Sequence, residues 1–238
     1  MSLVVAMVIA WLHAGGAVPP VEAHRYWLWT ESATPISVVV WRAARPTSSP
    51  LRLRLDAWDS TGAGADSTWT VPAADSSSAE IVGVVSATGR LARDCWRLTL
   101  AAAAASGACA RRRDDGPISL SDLVPIDSTN GVTWGTVMIA ATDTVERTRP
   151  AAIYYQVRSD ARHEHIRTSL TLTDITDVHH GQRVTQFSFE GGLAAGVNEF
   201  ARALDLSRVE PGRYLLELQV GDLDGAGASV RSAEFVIR

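Results

Sequence analysis

Lysine is absent from this 238-residue chain: all 22 basic side chains are Arg. That excludes every mechanism needing a catalytic lysine. It also leaves a surface whose cations are planar, bidentate toward carboxylates and able to stack on aromatics, a composition suited to interfaces. Positive charge is in deficit too, with a formal net charge of -4, so the chain is no general nucleic-acid binder. Cysteine is scarce. Cys95 and Cys109 are the only two, too few for a tetrahedral structural zinc site of the usual kind. No G-x-S-x-G elbow, no Ser/His/Asp spacing that stands out and no phosphate-cradling glycine loop occurs. The chain therefore reads as a non-enzyme, with no catalytic, cofactor or metal residues assigned.

Long apolar runs are missing as well, with one exception. Residues 2–18, SLVVAMVIAWLHAGGAV, are apolar or small apart from His13 and end at Pro19 and Pro20, which stop a helix. The small residues at 14–17 suit a signal-cleavage site, but a positive n-region is lacking. The stretch just reaches the lower length of a membrane span, about 17 residues, and Trp11 near one end suits an interface. The expectation is a retained N-terminal helix that inserts in the lipid bilayer; a cleaved signal is the alternative. Either way the remainder is exported to the periplasm. In that compartment Cys95 and Cys109 are expected to form a disulfide.

What remains is rich in short β-branched and aromatic runs separated by Gly, Pro, Ser and Asp. LRLRLDAW at 51–58 alternates cleanly, Leu51, Leu53 and Leu55 on one side and Arg52 and Arg54 on the other. That is a half-buried antiparallel strand. Strands at this spacing without helices between them predict sandwiches. The expected fold is all-β: two tandem antiparallel β-sandwich, immunoglobulin-like domains after the short apolar helix. The boundaries are 1–20 for the anchor, 21–113 for a Trp-rich domain and 114–238 for a second domain. A weak internal repeat agrees with two related units: LRLRLDAWDSTGAGA at 51–65 matches YLLELQVGDLDGAGA at 214–228 in seven of fifteen positions.

Three patterns invite a metal or charge reading. His163, Glu164 and His165 would put two imidazoles on one strand face, and His179 and His180 form a second pair. A polar surface hairpin explains them more simply. The Asp/Gly stretches at 59–66 and 222–227 lack the ligand spacing of a calcium loop and read as hairpin turns. RRRDD at 111–115 reads as a solvated turn.

All eight Trp lie within the first 134 residues. Trp and Arg are enriched at the centres of interfaces. The partner contact is accordingly placed on the first domain, with Trp11, Trp27, Trp29 and Trp41 as the expected partner-binding residues. Trp27 and Trp29 are two apart and so share one strand face.

The second half resembles the C-terminal β-sandwich of GWxTD-type bacterial secreted proteins. The resemblance rests on ISLSDLV at 118–124, IYYQV at 153–157 and the long run 204–237 with its Pro-Gly-x-Tyr turn. The GWxTD motif itself does not occur; 133–136 reads TWGT. The resemblance implies a fold and an exported location, and no catalytic residue. In overall plan, without a shared motif, the chain is similar to periplasmic accessory subunits of bacterial photosynthetic reaction-centre and light-harvesting complexes. These readings lead to the expectation of a non-catalytic accessory subunit, anchored to the cytoplasmic membrane and partnered by an integral membrane protein complex. A secreted carbohydrate-binding or adhesion module using exposed Trp is the alternative.

Overall fold

The computed structural model describes residues 21–44, 51–59, 61–71, 80–88, 94–100, 103–107, 109, 116–127, 131–176, 181–223 and 228–238. The expected N-terminal helix and Trp11 lie outside these residues. Among the described residues there is no helix, and none that could cross a membrane. The chain is all-β. Seven strands come first: β1 (Val21–Trp29), β2 (Pro35–Ala44), β3 (Leu51–Trp58), β4 (Gly64–Val71), β5 (Glu80–Thr88), β6 (Cys95–Leu100) and β7 (Ala103–Gly107). They make two antiparallel sheets, in the orders β1-β2-β5 and β4-β3-β6-β7. Eleven follow: β8 (Ile118–Leu120), β9 (Val124–Ile126), β10 (Val132–Trp134), β11 (Val137–Ile139), β12 (Thr144–Val145), β13 (Ala151–Ser159), β14 (His163–Asp174), β15 (Gln182–Leu193), β16 (Gly196–Leu204), β17 (Gly212–Asp222) and β18 (Ala228–Ile237). Their sheets run β10-β11-β9-β13-β16, with β8 on β13, and β12-β18-β17-β14-β15. All pairs are antiparallel except β12 with β18.

Three apolar clusters order these four sheets into a stack. Leu53 and Leu55 of β3 and Trp96, Leu98 and Leu100 of β6 pack on Val39, Trp41, Val85 and Ala87 of β2 and β5. The opposite face of β2, with Ile36, Val38 and Val40, joins Tyr26 and Leu28 against Val124, Ile139 and Tyr154. Ile153, Tyr155 and Val157 then point the other way, into a cluster with Leu170, Leu216, Leu218 and Phe235. The sequence of β2 accounts for its place. PISVVVWR has no alternation because both of its faces are buried; Val38, Val39 and Val40 are all 0% exposed. Strand β13 behaves likewise, with consecutive tyrosines Tyr154 and Tyr155 entering different cores.

The edge of β1 that faces away from β2 is held by side chains of the second half. Asp122 accepts from the Trp27 N–H through Oδ2 at 2.8 Å and donates its own N–H to the Trp27 carbonyl at 3.0 Å. Gln156 does the same for Trp29 with its amide alone. Backbone groups that a buried edge would leave unpaired are thus satisfied. In the loop before β17, the Tyr214 hydroxyl donates to the Glu210 carbonyl at 2.7 Å, which fixes the Pro-Gly-x-Tyr turn. Cys95 and Cys109 form a disulfide, with Cα atoms 4.2 Å apart.

Candidate interaction surface

The outward face of sheet β4-β3-β6-β7 follows directly from the alternation in β3. Leu53, Leu55 and Ala57 are buried, so Arg52, Arg54, Asp56 and Trp58 look outward. Trp58 is half-buried and the Arg97 guanidinium sits over its ring, 5.9 Å from the centroid. Arg97 lies opposite Asp56 across the strands, and Arg54 donates through Nε to Asp56 at 2.8 Å. The Arg54 guanidinium also reaches Asp66 at 3.7 Å. Pairs this exposed contribute little stability. Their effect is to hold long side chains in place around an aromatic ring, and a cation over an indole face is attracted by about 0.5–1 kcal/mol at an exposed site.

A second Arg–Trp pair lies close by. The Arg25 guanidinium is 5.0 Å from the Trp27 ring centroid, and its Nη2 donates to the Asp94 carbonyl at 2.8 Å. Asp94 precedes Cys95, and Cys95 is the cross-strand neighbour of Trp58. Residues 94 and 95 therefore connect the two pairs, and the disulfide ties the segment after β7 to the same place. Burial lowers the Arg25 pKa to about 10, with Asp122 and Asp94 acting in the opposite sense. The guanidinium stays charged at neutral pH.

The four tryptophans expected to carry the contact are placed differently from one another. Trp27 is half-buried beside Arg25. Trp29 and Trp41 are each 2% exposed, which corrects the expectation that they offer rings to a partner. Strand β1 does put Trp27 and Trp29 on one face, but that face packs toward the neighbouring sheet, and Trp41 is part of the core beneath it. Trp11 lies outside the described residues. Trp58 and Arg97 were missed as site residues, although 58 shares its parity with Arg52 and Arg54 on the polar side of β3.

Two of these patterns fall partly within the described residues, around His163 and around Asp59. His163 Nδ1 lies 2.7 Å from Asp222 Oδ2, while His165 is exposed. A register shift between His163 and Ile166 breaks the alternation that would align the two imidazoles. Asp59 Oδ1 accepts from Thr61 N–H, Thr61 Oγ1 and Ala63 N–H, so the carboxylate builds its own turn. Among the described residues, no group of three or more His, Cys, Asp or Glu side chains gathers at one point. Residues 111–115, His179 and His180 lie outside the described residues.

No family model matches the chain, and no curated protein matches it. Among solved structures, the C-terminal domain of Wzt aligns at 10% identity and a TM-score of 0.39, covering 54% of this chain and 77% of that one. The C-terminal globular domain of an oligosaccharyltransferase from Pyrococcus abyssi aligns at 12% identity and a TM-score of 0.19, covering 92% of this chain and 49% of that one. The chain thus spans about half the length of the second.

Proposed function

We propose that the chain is a non-catalytic accessory subunit of an integral membrane protein complex. It works in the periplasm, is held at the cytoplasmic membrane by residues 2–18, and docks through the Arg97–Trp58 pair on the outward face of sheet β4-β3-β6-β7. The observation that carries this reading is the Arg97–Trp58 pair on the outward sheet face, where Trp58 is the cross-strand neighbour of the disulfide-bonded Cys95. Trp and Arg on a rigid, cross-linked support are what an interface centre uses. The disulfide itself supports an oxidising compartment. A photosynthetic reaction-centre or light-harvesting assembly is the candidate host, on the likeness of overall plan.

The same reading takes the stack as two immunoglobulin-like β-sandwiches in tandem, 21–113 and 114–238. Strand order supports it. The arrangement β1-β2-β5 facing β4-β3-β6-β7 recurs as β9-β13-β16 facing β15-β14-β17-β18. The bond from Tyr214 to a carbonyl four residues upstream is the corner such sandwiches use. The resemblance to GWxTD-type secreted proteins points the same way.

The test is native-gel separation of detergent-solubilised membranes, probed for the full chain. The chain should migrate with a larger complex. Trp58→Ala and Arg97→Ala should each weaken that association by about 2 kcal/mol or more at a hot spot, with the melting curve of the purified chain nearly unchanged. Migration of the wild-type chain as a free species would reject the subunit reading. Undiminished association of both variants would reject this surface.

A further inference from the structure

Strands β15 and β16 end their sheets: β15 is the last strand of β12-β18-β17-β14-β15 and β16 the last of β10-β11-β9-β13-β16. They are consecutive in the chain, and one cation lies between them. The Arg202 guanidinium of β16 is 5.0 Å from the Phe189 ring centroid of β15 and 5.4 Å from that of Phe200. Phe200 stacks on Tyr155, 5.3 Å away with 22° between the rings. The Tyr155 hydroxyl, deep in the core, accepts a hydrogen bond from Arg202. Strand register explains the placement. Arg202 stands opposite Ile153 and Phe200 opposite Tyr155, both buried between the two sheets, so residues 200 and 202 point inward.

Ring faces and one hydroxyl do not neutralise a guanidinium. Among the described residues no carboxylate pairs with Arg202, and its Nε is buried without a hydrogen-bond partner. The acidic side chains nearest in sequence are engaged elsewhere: Glu190 with Arg167 at 2.8 Å, and Glu199, on the other face of β16, with the Gln156 amide at 3.2 Å. A partly buried cation is costly unless it is paired. The strand that carries it is also open to a neighbour. The nine residues Gly196–Leu204 contain no proline, and their register with β13 has no bulge, so two common obstacles to further strand pairing are missing. The edge of β1, in contrast, is already filled by Asp122 and Gln156.

A strand added beside β16 sets one side chain directly across from Arg202, on the same inward side. A carboxylate at that position pairs with the guanidinium. An apolar side chain leaves it unpaired and a basic one repels it, so the residue that accepts one strand refuses others. A second copy of this chain cannot supply the carboxylate through these edges: the inward neighbours of Arg202 are Asn198, Phe200 and Leu204 on β16, and Phe187 and Phe189 on β15. We propose that the edge of β16 takes up an extended segment of a partner protein as an additional strand, with an Asp or Glu of that segment paired to Arg202. The contact is separate from the Arg97–Trp58 surface and does not depend on it.

The experiment is fluorescence anisotropy of a labelled synthetic peptide titrated with the full chain, purified in detergent. The peptide alternates threonine and valine, has a lysine at each end, and carries at its centre, on the valine face, a glutamate, a glutamine or a lysine. The glutamate peptide should bind the wild type at least about tenfold more tightly than the glutamine peptide, the scale of a hydrogen bond to a charged group. The lysine peptide should bind more weakly than either. In Arg202→Gln the glutamate and glutamine peptides should bind alike, while Arg202→Lys should keep part of the preference. Absence of binding by the glutamate peptide, or equal binding of the three, overturns the inference; both are read on the wild type and stand even where a variant fails to fold. So does a preference for glutamate that persists in Arg202→Gln.

Discussion

The side-chain amide of Gln156 closes on the backbone of Trp29, 127 residues away, in both directions. Its Oε1 accepts from the Trp29 N–H at 2.6 Å and its Nε2 donates to the Trp29 carbonyl at 3.0 Å. Gln156 is 0% exposed, and its own N–H and carbonyl are taken by Ser121. One side chain thus does for β1 what a neighbouring strand would do, and joins the first half of the chain to the second.

Truncating that amide should therefore cost more than an average hydrogen bond. Gln156→Ala strands a buried donor and a buried acceptor on Trp29, each worth about 1–3 kcal/mol when left unmade. A loss of about 2–5 kcal/mol is expected in denaturant unfolding followed by Trp fluorescence. Gln156→Leu, which keeps the volume, should fall in the same range if the bonds dominate. A loss confined to Gln156→Ala, with Gln156→Leu near wild type, would assign the effect to packing instead.

The same seam contains a group that titrates. His24 is half-buried on the face of β1 turned toward the second half. Burial lowers its pKa below 6.5; Asp143 and Glu22 act to raise it and Arg42 to lower it. Because the folded chain favours the neutral ring, the unfolded chain takes up the proton first. The stability linked to this ring is complete above pH 6.5 and is lost as pH falls from there through the folded-state pKa. Melting temperatures should decline on acidification below about pH 6.5, and His24→Gln should flatten that decline. An unchanged slope in the variant would place the acid sensitivity elsewhere.

The disulfide between Cys95 and Cys109 spans a sequence separation of 14. Closing a loop of that size removes about 3 kcal/mol of unfolded-state entropy in the chain-entropy model. Reduction, or the pair Cys95→Ala/Cys109→Ala, should lower stability by about that amount, read from unfolding curves with and without reductant. Coincident curves in the two conditions would show that the bridge adds nothing to stability.

How much of this was legible in the chain depends on distance along it. Alternation in LRLRLDAW puts Leu53 and Leu55 on one side and Arg52 and Arg54 on the other, as the structure has them, because strand parity is a local property. The lack of alternation in PISVVVWR equally marks a strand covered on both faces. Trp41 is buried because of what packs on its ring, and those partners include residues of β3 and β6, distant in sequence. The repeat between 51–65 and 214–228 falls on β3 and β17, each of which is followed by its antiparallel neighbour. What the two stretches share is the chemistry of a strand entering a hairpin.

The clearest case of non-local control is the glycine beneath each of Trp41 and Trp96. Gly83 lies opposite Trp41 and Gly107 opposite Trp96 in their ladders. A Cβ on Gly83 would fall 2.6 Å from Trp41 Cζ2, and one on Gly107 2.5 Å from Trp96 Nε1. Each indole lies flat on the neighbouring strand where only hydrogen leaves room, which is one reason a glycine interrupts a strand interior. Gly83→Ala must displace the Trp41 ring from a packed core, at about 1–3 kcal/mol. Val82→Ala, one residue away on an exposed position, should stay within about 0.5 kcal/mol of wild type. Urea unfolding of the two variants side by side measures the difference. If Gly83→Ala were as stable as Val82→Ala, the ring would have room to move, and the core around Trp41 would be looser than these contacts require.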